Sequence, residues 1–152
     1  MLRKRRKKRK TEHENDSLEY QQKLKSLILE LRAIYEKTAG TKIHKGILEI
    51  TKTTKNILQC LIDDNSRIAK LRLFIDYYLP ELVQIINQYI AIKSNNISSE
   101  QAAGIVGQIE DFIPVTEKAF GRILENITIQ DNSDVEIDIK IMIENLKKKR
   151  LL

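Results

Sequence analysis

The chain has 152 residues, 41% of them apolar, with no tryptophan, five glycines and two prolines. That is enough for one domain with its own core and too little turn chemistry for a many-stranded sheet. The net charge of +6 is local: eight of the 27 Lys and Arg fill residues 3–10, so residues 11–152 carry 19 basic (27 − 8) against 21 acidic groups.

Residues 1–16 read as a basic tail. Arg3, Lys4, Arg5, Arg6, Lys7, Lys8, Arg9 and Lys10 follow one another without interruption. Contiguous like charge repels itself and stays solvated, which predicts disorder and an affinity for a polyanion. No apolar region follows the run, so it is no secretion signal. No stretch of the chain approaches the roughly 20 apolar residues that cross a bilayer, and a soluble or peripheral protein is expected.

A helical domain over residues 17–148 follows. Ser17 is a plausible cap, and Tyr20, Leu24, Leu27, Ile28, Leu31, Ile34 and Tyr35 recur at three and four until Gly40 interrupts. Ile43, Ile47, Ile50, Thr54, Ile57, Leu58 and Leu61 form a second stripe, weakened by its threonines. Asp63, Asp64, Asn65 and Ser66 end that helix and cap the next.

The third stripe is the richest, with Ile68, Leu71, Ile75, Tyr78, Leu82, Ile85, Ile86 and Tyr89 on one face. A helix this apolar belongs at the centre of a bundle, and Pro80 predicts a kink near residues 76–80. Ser98 and Gln101 read as a capping box for a fourth helix, which carries Ile105, Ile109, Phe112, Thr116, Phe120, Ile123 and Ile127, with a second kink expected at Pro114. Residues 135–143 alternate like a strand. A lone strand would lack a partner, whereas Ser133 and Glu136 make a capping box, so a fifth helix is the preferred reading. The fold class is all-α, a single bundle of about five helices.

Catalytic chemistry is thin. His13 lies in the tail, and His44 reads as a surface or interhelical polar residue. Cys60, the single cysteine, sits in an apolar stripe and reads as a buried inert thiol that forms no internal disulfide. Asp63 and Asp64 would diverge by about 100° on a helix and suit a helix end. Asp134 and Asp138 lack a third ligand. Gly104 and Gly107 read as sites of close helix packing, and no glycine loop suits a phosphate. No cofactor and no metal are expected. Phe74, Tyr77, Tyr78 and Pro80 stand out as either a bulky core plug with a kink or a partner-docking, ligand-lining elbow.

The block at residues 70–89, with Phe74, Tyr77, Tyr78, Leu79, Pro80 and Tyr89, resembles the central block of the XpaC-like family, named for 5-bromo-4-chloroindolyl phosphate hydrolysis. Residues 109–120 and 134–146 are similar to the next and last family helices. The likeness covers residues 17–146 and is strongest at 66–90. It implies a bacterial helical protein, associated by gene neighbourhood with TelA-like toxic-anion-resistance proteins, in a family where many members carry membrane spans upstream of the helical part. It brings no catalytic motif.

Three functions are therefore open. The leading one is a non-enzymatic interaction module, peripheral at the cytoplasmic face of the inner membrane, held by the basic run and recruiting a protein partner; an upstream membrane span in a longer native form would suit it. The second is nucleic-acid binding through the tail, to which the near-neutral body adds no basic recognition helix. The third is a phosphate-ester hydrolase, as the family name suggests.

Overall fold

In the computed structural model, which describes residues 2–129 and 135–148 with side chains from Asn15 onward in the first helix, the apolar stripes become the buried faces of helices. Helix α1 (Leu2–Lys37) is followed by α2 (His44–Asp63), a 3-10 turn (Asn65–Arg67), α3 (Ile68–Leu73), one π turn (Phe74–Tyr78), α4 (Leu79–Ser94), α5 (Glu100–Ile129) and α6 (Val135–Lys148). Because α3, the π turn and α4 run on without a break, the domain is an all-α bundle of five helical rods, with no strand among the described residues. Residues 135–143, ambiguous in pattern, are helical.

The first helix begins earlier than the composition suggests. Residues 2–16, expected as a disordered tail, carry helical backbone continuous with the packed part of α1. No glycine or proline precedes Gly40, and Lys, Arg and Glu are good helix formers. Extending a helix that tertiary contacts already hold avoids the nucleation cost of a free one. The described packing of α1 begins at Ser17. This residue, expected as a cap, is fully buried within the helix, where its hydroxyl donates to Asn65 Oδ1 at 2.8 Å and accepts from Gln21 Nε2 at 3.2 Å. It ties α1 to the turn between α2 and α3.

Two left-handed residues set the reversals at the opposite end. Gly40, at φ 81°, turns the chain from α1 into α2. Asn96, at φ 51°, turns it from α4 into α5, with Ile97 N–H donating to Ile92 O at 3.1 Å. The start of α5 is capped by Ser99, whose Oγ accepts from Ala102 N–H at 3.1 Å. The cap is thus one residue later than the Ser98 box implied. Asp64, as expected, closes α2 and caps the 3-10 turn, its carboxylate accepting from Ser66 N–H and Oγ. The capping box at Ser133 lies outside the described residues.

The threonines of α2 do not spoil it. Thr51 and Thr54 are buried and donate to the carbonyls of Ile47 and Ile50, both at 2.7 Å. A hydroxyl satisfied one turn back can enter an apolar core without a solvation penalty. Helices α2 and α5 meet closely at Gly46, where an added Cβ would collide with Ile113 Cγ2. Gly104 and Gly107, expected to permit close packing, have nothing within 4 Å of a Cβ. They lie toward the start of α5.

Candidate interaction surface

The π turn decides what the aromatic block can do. An α-helical register through Pro80 would drive its ring into the carbonyl of Asp76. Instead the hydrogen bonds widen by one residue, with Leu79 N–H donating to Phe74 O, and Pro80 falls in the first turn of α4, where its missing N–H costs nothing. The register thus changes at the place where a kink was expected. Pro114, in contrast, lies inside α5.

The widened turn separates the four elbow residues. Phe74 and Tyr78 are buried, and both meet Phe120 of α5, at ring centroid distances of 5.0 Å and 5.8 Å. Both rings fill the core between the helices. Burial pushes the Tyr78 hydroxyl up to about 12, with the Thr116 hydroxyl opposing. Pro80 is half-buried, while Tyr77 is 60% exposed. Of the aromatic pair, only Tyr77 is open to a partner.

Asp76, between them, holds α1. Tyr20 donates to Asp76 Oδ2 at 2.5 Å and Lys23 Nζ lies 3.4 Å from Oδ1. Arg72 reaches Asp16 at 3.4 Å, and both Lys23 and Arg72 sit near the face of the Tyr20 ring. The hydrogen bond to Asp76, and then burial, push the Tyr20 hydroxyl up to about 12. Sequence spacing could not pair Tyr20 with Asp76, because the two are brought together only by the packing of α1 on the π turn. The side chains of Arg3 to Lys10 lie outside the described residues; their backbone is the start of the helix that this cluster clamps.

No catalytic arrangement is assembled from the described side chains singled out above. His44 stacks on Tyr35 at 4.1 Å, and its Nδ1 lies 3.1 Å from Thr38 Oγ1. The Thr38 hydroxyl also lies 2.9 Å from Tyr35 O, to which it donates. Thr38 is also fully buried, out of reach of a substrate. Cys60, expected to be buried, is only partly so, and its sulfur lies 3.7 Å from Thr128 Oγ1. Among the described residues no group of three or more His, Cys, Asp or Glu is placed to hold a metal. The side chains of His13, Asp134 and Asp138 lie outside them. No helix among the described residues is long and apolar enough to cross a membrane.

Acidic groups do gather in a crevice of about 340 Å³ between α2 and α5, lined by Gly46, Glu49, Glu110, Pro114 and Glu117 and flanked by Lys42 and Lys45. Burial, and then the nearby Glu49, raise the Glu117 carboxyl above its ordinary value. Tyr89, fully buried and itself pushed up to about 12 chiefly by burial, donates to Glu110 at 3.0 Å.

The family model described as 5-bromo-4-chloroindolyl phosphate hydrolysis protein matches residues 2–142. No curated protein and no solved structure matches the chain.

Proposed function

The chain belongs to the family of 5-bromo-4-chloroindolyl phosphate hydrolysis proteins, and from that premise we propose that it is a non-enzymatic helical interaction module at the cytoplasmic face of a bacterial membrane, serving resistance to toxic anions or envelope stress. The observation that carries this reading is the run of eight cations at residues 3–10, placed at the start of the same helix whose later turns are packed into the bundle. Each Lys or Arg near an anionic leaflet contributes about 1 kcal/mol. A continuous helix would pass that attraction to the bundle as a preferred orientation. Tyr77, exposed beside the clamped Asp76, is the aromatic best placed to meet a protein partner of the TelA-like kind.

The test is co-sedimentation with vesicles. Vesicles containing phosphatidylglycerol should retain the chain and vesicles of phosphatidylcholine should not. Binding should weaken steeply with salt, as the Debye length shortens from about 10 Å at 0.1 M to about 3 Å at 1 M. Deletion of residues 3–10 should abolish it. Duplex DNA or RNA that strips the protein from the vesicles at physiological salt would transfer the assignment to nucleic-acid binding. Phosphatase turnover abolished by a point substitution would transfer it to a hydrolase.

A further inference from the structure

A second cationic feature lies on the body of the bundle, away from the basic run in sequence. Helices α5 and α6 leave a groove of about 240 Å³ between them. Ile123, which is buried, and Met142 supply an apolar floor, and Val115 and Ile141, 55% and 51% exposed, stand at its edges. Lys118 and Arg122 line the same groove. They are four residues apart on α5, so they leave one face of the helix a turn apart. Neither is ion-paired among the described residues, and no described lining residue is acidic. Two cations over an apolar floor complement an anion that carries an aliphatic chain.

The size of the groove narrows the class further. Sites that enclose a small ligand usually measure about 300–1,000 Å³ and cover most of its surface. A smaller open groove covers only part of an amphiphile and leaves the remainder in its own surroundings. A lipid whose outer chain stays in the bilayer meets that condition. We propose that the α5–α6 groove binds one anionic phospholipid, its phosphate between Lys118 and Arg122 and the first part of an acyl chain over Ile123 and Met142. This rests on the membrane reading and deepens it, since the basic run would bring the bundle to the surface and the groove would then engage a single lipid.

The experiment follows methyl resonances of the full chain while dihexanoyl phosphatidylglycerol is added below its micellar concentration. Dihexanoyl phosphatidylcholine and inorganic phosphate serve as comparisons. Saturable shifts at Val115, Ile123, Ile141 and Met142 are expected with the phosphatidylglycerol alone. The doubly substituted Lys118→Gln, Arg122→Gln chain should bind it about tenfold more weakly or worse. Both side chains are exposed, so helical content should not change. Equal shifts with phosphatidylcholine would reduce the groove to an apolar crease, and equal shifts with inorganic phosphate would make it a small-anion site; either result overturns the proposal, as does unchanged affinity in the double variant. Vesicle co-sedimentation in parallel separates the two ideas. Intact vesicle binding without methyl shifts sinks the groove alone, whereas methyl shifts without vesicle binding sink the membrane reading alone.

Discussion

At the scale of single residues, the glycines of this chain divide by what surrounds them. A methyl group at position 46 would collide with the buried branch of Ile113, whereas one at position 104 meets nothing within 4 Å. Overpacking costs about 1–3 kcal/mol, while Gly to Ala in a helix returns up to about 1 kcal/mol. Gly46→Ala should therefore lower the thermal midpoint and Gly104→Ala should raise it, as read by circular dichroism melts. Glu117 supplies a second test. Its carboxyl is raised above the ordinary value of 4.5 by burial, and then by the nearby Glu49. A group raised in the folded state favours folding fully below its unfolded pKa and loses that contribution as pH rises through the folded value. Glu117→Gln should thus raise the midpoint at pH 7 and leave it nearly unchanged at pH 4. A uniform shift across that range would show that Glu117 is as well solvated folded as unfolded.

At the scale of elements, the boundaries carry the information that periodicity leaves out. Ser98 and Ser99 are chemically equal, and Gln101 three residues on favours the first. The observed cap is Ser99, because α5 begins at Glu100 and Ala102 N–H is the donor in reach. Ser99→Ala should cost about 1 kcal/mol and Ser98→Ala close to none, measurable by urea unfolding. The rod from α3 to α4 shows the same dependence on register. Its proline was plain in the sequence and its position near a break was expected. The π turn that absorbs it could not be read, because choosing between one extra residue and a bent α-helix depends on how Phe74 and Tyr78 reach Phe120. The burial of that pair left Tyr77 as the exposed member of the proposed elbow.

At the scale of the whole molecule, the charge and the core occupy different parts of one helix. The described packing of α1 starts at Ser17, seven residues beyond the last cation of the run. Deleting residues 3–10 should therefore leave the melting transition of the bundle within about 1 kcal/mol of the intact chain while removing its affinity for anionic vesicles. A large drop in stability would mean that the run contributes to the fold and is not an appended binding element.

The fold class, the five helical rods, the strongly apolar face of residues 68–92 and the concentration of positive charge were all determined by the sequence itself. Each depends on a local property, either the three-and-four spacing of apolar side chains or a count of charges along the chain, and such properties survive any change of partner. Tertiary structure alone decided that Tyr20 would meet Asp76, that Gly46 and not Gly104 would take the close helix contact, and that Lys118 and Arg122 would border an apolar groove. These are relations between residues up to 67 positions apart by the spacing of Gly46 and Ile113 (113 − 46). They follow from how helices are rotated and set against one another, which a pattern along a single helix does not specify.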